Sequence, residues 1–97
     1  MTVIKAMGGE RRRARLESAA VAAGVAWAES FAEQLRREGR RMAGGWPGTL
    51  SEARAHLLAC LRPGVVLEGT EMQSLSRATY VAAKNDWLAR AGRDPDP

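Results

Sequence analysis

The sequence predicts an all-α fold of three helices, a long N-terminal helix, a short second helix and a third helix, and three observations carry that expectation. Apolar residues recur at intervals of three and four from Leu16 to Leu35 and again from Met72 to Trp87, the spacing that places them on one helix face. Thr49-Leu50-Ser51-Glu52 and Thr70-Glu71-Met72-Gln73 both set a threonine three residues ahead of Glu or Gln, the pattern of a capping box that opens a helix. Between the periodic stretches lie segments with Pro47 and Pro63, each beside glycine, where a helix cannot run through.

Residues 1–9 carry a short apolar string, Val3, Ile4 and Ala6, followed by the pair Gly8-Gly9, and are expected to form an N-terminal arm, as a strand or as part of a helix. From Glu10 the helical pattern begins: Leu16, Ala20, Ala23, Trp27, Phe31 and Leu35 share one face. The helix is expected to end at Gly39 or at Gly44-Gly45, where glycine supplies a left-handed cap. Val21, Val25, Ala28 and Ala32 make a second apolar strip, leaving a polar band around Ser18, Glu29, Glu33 and Arg36. A helix apolar over so much of its girth needs two contacts, and a homodimer formed along it is the expected second one.

In the second helix Leu50, Ala53, Leu57 and Leu61 line one face, and Arg62-Pro63-Gly64 stops it. Val65 to Gly69 is an apolar connector. In the third helix Met72, Leu75, Thr79, Ala82 and Ala83 share a face with Tyr80 and Trp87 beside them, the helix running to about Ala91 with Gly92 as its cap. Residues 10–92 are thus expected to form a single helical domain, with 93–97 a disordered tail.

The chain of 97 residues has the length of one small domain, and 18 of its 44 apolar residues are alanine, which leaves a thin core of larger side chains. A partner or self-association that covers the Ala-rich faces is therefore expected. The net charge is +4, and residues 1–42 hold all of the excess, nine basic against five acidic, while residues 43–97 hold six of each. Thirteen of the fifteen bases are arginine, which suits bidentate contact to phosphate or carboxylate, although a GC-rich genome also writes Ala, Arg and Gly freely.

Cys60 is the sole cysteine, so no internal disulfide forms and a reducing, cytoplasmic location is expected. The apolar run from Ala19 to Ala28 is half the roughly 20 residues that a membrane span needs. Arg11 to Arg13 ahead of that run resemble an export signal, but Glu17 interrupts the junction and the run is mostly alanine. His56 and Cys60 stand one turn apart, yet zinc wants three or four ligands and no second His or Cys completes a set, so neither metal nor cofactor is expected. No phosphate loop, dinucleotide fingerprint or nucleophile elbow occurs, and the chain is expected not to be an enzyme.

The basic clusters are the functional lead. Arg11, Arg12, Arg13 and Arg15 crowd what reads as the start of the first helix, where the helix dipole disfavours cations, whereas Arg36, Arg37, Arg40 and Arg41 crowd its other end, where the dipole favours them. Arg13 and Arg37 are 24 residues apart, about 36 Å along a continuous helix, close to the 34–36 Å between half-sites one duplex turn apart. Glu10 and Glu17 stand near the first cluster and Glu33 and Glu38 near the second as pairing partners. The eight residues from Pro63 to Thr70 that join the second and third helices are too many for a helix-turn-helix, and the first helix is too long for a ribbon-helix-helix.

The leading expectation is a small binding protein that touches DNA or RNA backbone through these arginines in a regulatory or accessory role. The alternative is a protein-binding module or inhibitor, of the kind phage and mobile elements encode in bacteria. It would dock on an acidic protein surface through Val21, Val25, Ala28, Ala32 or the loop tryptophan Trp46, which is either an anchor under the Gly/Pro turn or an exposed hot spot. A helix lying on anionic lipid is a third reading, against which Glu29 and Glu33 count.

Overall fold

A computed structural model describes residues 2–41 and 45–93, the side chains of residues 2–8 and 93 excepted. It contains three helices and, among the described residues, no strand: α1 Thr2–Arg37, α2 Leu50–Cys60 and α3 Gly69–Arg93. No helix among them is long and apolar enough to cross a membrane. The tail expected over 93–97 lies, beyond Arg93, outside the described residues.

α1 begins eight residues before Glu10, so residues 2–9 are its first turns and Gly8-Gly9 interrupt nothing. Its C-terminus closes as the glycine predicts. Gly39 takes φ 68°, its N–H bonds the Arg36 carbonyl at 3.1 Å and the Arg40 N–H bonds the Leu35 carbonyl at 2.8 Å, the paired bonds of a Schellman cap. α2 opens with the predicted capping box: Thr49 Oγ1 accepts from the Glu52 N–H at 3.2 Å, and Glu52 Oε1 accepts from the Thr49 N–H at 3.0 Å. Arg62-Pro63-Gly64-Val65 then form a hydrogen-bonded turn with Gly64 at φ 90°, the conformation a type II turn asks of that position.

The second capping box does not form. α3 starts at Gly69, which leaves Thr70 inside the first turn, and the Met72 N–H bonds the Glu68 carbonyl. α3 also runs through Gly92 to Arg93 rather than stopping before it.

Arg12 meets Glu71, Gly24 lies against Thr79 and Phe31 packs on Trp87, so α1 and α3 run side by side in the same direction. Ala53 shares a cluster with Trp27, Ala28, Ala32 and Leu35, while Leu57 shares one with Leu16 and Ala20, so α2 runs antiparallel to both. The core divides into two clusters along this bundle. One is aromatic: Trp27, Trp46 and Trp87 with Ala28, Ala32, Leu35, Ala53 and Ala83, flanked by Phe31 and Tyr80. The other is aliphatic: Leu16, Ala20, Leu57 and Leu75, flanked by Leu61, Leu67, Met72 and Ala78.

Trp46 is buried at 8% exposure, with its ring centroid 4.7 Å from that of Trp27 and 5.3 Å from that of Trp87. The loop tryptophan is therefore an anchor. Gly48 lets the loop close over it, since a Cβ there would stand 2.6 Å from the Trp27 ring and from the Trp46 indole nitrogen. Leu50, expected on the apolar face of α2, lies half exposed, because α2 is short and only Ala53 and Leu57 point squarely into the bundle; Cys60 at its end is exposed.

Between the clusters the α1 and α3 backbones come so close that a Cβ on Gly24 would fall 2.3 Å from the Thr79 carbonyl oxygen and 2.9 Å from the Ala83 nitrogen. Those are backbone atoms and cannot swing aside. Thr79, fully buried beside it, satisfies its hydroxyl by donating to the Leu75 carbonyl one turn back at 2.9 Å. Gly24→Ala is accordingly expected to destabilise the fold by about 1–3 kcal/mol through overpacking, more than the ~1 kcal/mol that alanine adds to helix propensity. Gly9→Ala, with nothing within 4 Å of the added Cβ, is expected to stabilise by about 0.5–1 kcal/mol. Chemical denaturation of the two variants tests this, and a shift of the same sign in both would sink the account.

Candidate nucleic-acid interface

The solvent face of α1 is a single strip. Arg11, Arg15, Ser18, Ala22, Ala26, Glu29, Glu33 and Arg36 follow one another at three or four residues and all are exposed. The strip is basic at both ends, small in the middle and acidic at Glu29 and Glu33. Because α1 is unbroken from Thr2 to Arg37, the 24 residues between Arg13 and Arg37 do correspond to about 36 Å.

The two basic ends differ in what they touch. At the C-terminal end, Glu33 lies 3.5 Å from Arg36 and 3.7 Å from Arg37, and Glu38 lies 3.4 Å from Arg40. The predicted partners are in place, and the last-turn position also suits these cations by the helix dipole. Arg41 is exposed beyond the cap. At the other end Arg11 and Arg15 make no ion pair or hydrogen bond among the described residues, and neither Glu10 nor Glu17 engages the cluster.

The first cluster does not lie at the start of α1, as the sequence pattern suggests, because the helix is longer than expected. With α1 beginning at Thr2, Arg11 to Arg15 sit in its third and fourth turns, and the dipole acts within the first. Their placement therefore carries no dipole penalty.

Arg12 has a different role from its neighbours. Its guanidinium makes a fork to Glu71 on α3, Nη1 to Oε2 at 2.7 Å and Nη2 to Oε1 at 3.2 Å, and reaches the Val66 carbonyl at 3.4 Å. It ties α1 to the start of α3 and to the connector, and is committed to the fold. The hydrogen bond from Arg12 holds the Glu71 carboxyl below its ordinary range against the opposing effect of desolvation, helped by the charges of Arg12 and Arg13. The same bond raises Arg12. The pair joins residues 59 apart in the chain, and no local sequence pattern signals it.

The apolar interface set divides as well. Ala28 and Ala32 are fully buried in the chain's own core and Trp46 is buried with them, so these three are not available on the surface. The reason is that α2 and α3 together flank α1 on two sides and supply both contacts that its wide apolar girth requires. Val21, 49% exposed, and the half-buried Val25 remain on the outer side of the α1–α3 pair.

His56 is exposed at one edge but lies flat on Trp27, ring centroids 4.6 Å apart and planes 20° from parallel. Cys60 follows it one turn on, exposed. Among the described residues no three of His, Cys, Asp and Glu come together to hold a metal. On α3, Arg90 bonds Asp86 and approaches Glu29 at 3.6 Å, a second ionic tie between α1 and α3.

No family of known proteins, no curated protein and no solved structure matches this chain.

The Arg12–Glu71 pair has a pH signature. A carboxyl held below its unfolded value of 4.5 contributes stability that is present above that pH and lost as pH falls through the lower folded value. Glu71→Gln is thus expected to lower Tm at neutral pH in low salt, with the gap to the parent chain closing as pH drops below about 4 and as salt is added. A gap that stays constant across that range would show that the fork does not stabilise the fold.

Proposed function

We propose that the chain is a small non-enzymatic binding protein that contacts nucleic-acid backbone, in a regulatory or accessory role, through the basic strip of α1. The observation that carries this is the state of Arg11 and Arg15, exposed on one face of a rigid helix with no hydrogen bond or ion pair among the described residues, with the exposed Arg13 beside them. Guanidinium groups left unpaired in this way fit the oxygens of phosphate bidentately and carry no demand for a base sequence. Arg36 and Arg37 at the C-terminal end of α1, with Arg40 just past its cap, stand about a duplex turn further along and serve as a weaker second contact, because Glu33 and Glu38 compete for them.

A protein-docking role is the second reading, and Val21 is the observation that favours it. Half exposed beside Val25, it leaves an apolar seam along α1 on which an acidic partner, or a second copy of this chain as a homodimer, can pack.

Binding of the chain to a labelled duplex and to a single strand from about 50 to 200 mM salt tests the first reading. The expected outcome is a linear fall of log affinity with log salt, its slope reduced by about 2–3 in the Arg11→Ala/Arg13→Ala/Arg15→Ala variant, since each phosphate contact adds about 0.9. Val21→Glu is expected to leave that binding unchanged. No binding at the low end of salt overturns the reading, as does a slope the triple variant does not alter.

A further inference from the structure

α2 and α3 leave between them an open groove of about 680 Å³, on the side of the bundle away from α1. Its volume is that of a small-molecule site, commonly about 300–1,000 Å³. Arg54 reaches it from α2 and Arg77 from α3, and neither makes an ion pair or hydrogen bond among the described residues. No acidic residue lines it. Glu52, the nearest carboxylate in sequence to Arg54, turns to the Thr49 cap and borders a separate cavity of about 50 Å³ beside Trp46, and Glu71 is held by Arg12.

The remaining lining is of two kinds. Ser51, Thr70, Gln73 and Ser74 bring hydrogen-bond donors, and Ser51 belongs to the first turn of α2, where N–H groups lack helical partners. Leu50 and Met72 add apolar surface. In the groove wall Ser76, 6% exposed, has a buried hydroxyl with no hydrogen-bond partner, although a serine here can turn back to its own helix as Thr79 does.

We propose that this groove is a binding site for a phosphate monoester with a small organic body. Two permanently charged guanidiniums balance a dianion, the hydroxyl and amide donors match its three terminal oxygens, and Leu50 with Met72 give the ester's body an apolar rest. A phosphodiester of a nucleic-acid backbone carries one negative charge and matches the pair of arginines less well. The site is on a different face from the α1 strip and does not rest on the reading of that strip.

Phenyl phosphate, dimethyl phosphate and benzoate serve as probes on the full chain, followed by the shifts of backbone amide resonances. Saturable shifts are expected for phenyl phosphate at Ser51, Arg54, Gln73, Ser76 and Arg77, with affinity at least tenfold above that of the diester or the carboxylate. Affinity is expected to fall as pH drops below about 6, where the monoester gains a proton while arginine stays charged. Arg54→Ala and Arg77→Ala, both exposed and outside the core, are each expected to weaken binding about tenfold. The Arg11→Ala/Arg13→Ala/Arg15→Ala variant is expected to bind phenyl phosphate as the parent does. Overturning results are the absence of saturable shifts, equal binding of all three probes, or shifts that map to α1 and vanish in the triple arginine variant. The last of these leaves the reading of the α1 strip standing while removing the groove.

Discussion

The rest of the structure depends on how closely α1 and α3 approach at Gly24. A helix pair sits about 8–10 Å apart according to the side chains between its members, and here the middle of the contact is filled by glycine and alanine rather than by leucine. That near approach leaves no room for large residues at the waist, so they gather at two ends. The tryptophans collect on the side toward the α1–α2 loop, and Leu16, Leu57 and Leu75 on the side toward the α2–α3 connector. Small residues thus do not make the core loose. They set the distance at which fewer large ones suffice.

The same geometry explains why a chain so rich in alanine closes on itself. α1 is apolar on two sides because it has two neighbours, α2 on one side and α3 on the other, and Ala20, Ala28, Ala32 and Ala83 reach near-zero exposure within one chain. α2, at 11 residues, is too short to cover the whole of α1 and relies on the loop before it: Trp46 inserts between Trp27 and Trp87 and completes the wall that α2 leaves open. Gly48 matters to that insertion as Gly24 matters to the waist, in both cases because a Cβ has no place to go.

Charge is distributed by pairing more than by number. Arg12 of α1 is fixed by a carboxylate from α3, Arg36 and Arg37 of its last turn and Arg40 past its cap are shared with nearby glutamates, and Arg11 and Arg15 are left to solvent. Exposed pairs of the second kind contribute little to stability and yield readily to a better anion. The fork to Glu71 is different in kind, since two parallel hydrogen bonds fix its direction. Arg54 and Arg77 stand outside all of these pairings on the opposite face, and the molecule presents two basic surfaces separated by its own core.

Local signals in the sequence specify the number and type of elements. Periodicity of three and four, the Thr49–Glu52 box, Pro47, Pro63 and Gly39 are local signals, readable because helices and turns are set by residues within a few positions of one another. The pairing of Glu33 and Glu38 with the second arginine cluster was legible for the same reason. Packing between helices settles that Thr70 opens no cap, that Arg12 is bound and Arg11 free, that Ala28, Ala32 and Trp46 are interior, and that Arg54 and Arg77 share a groove. Each of those outcomes turns on residues far apart in the chain, and a helix pattern fixes which side chains share a face but not which neighbour that face will meet.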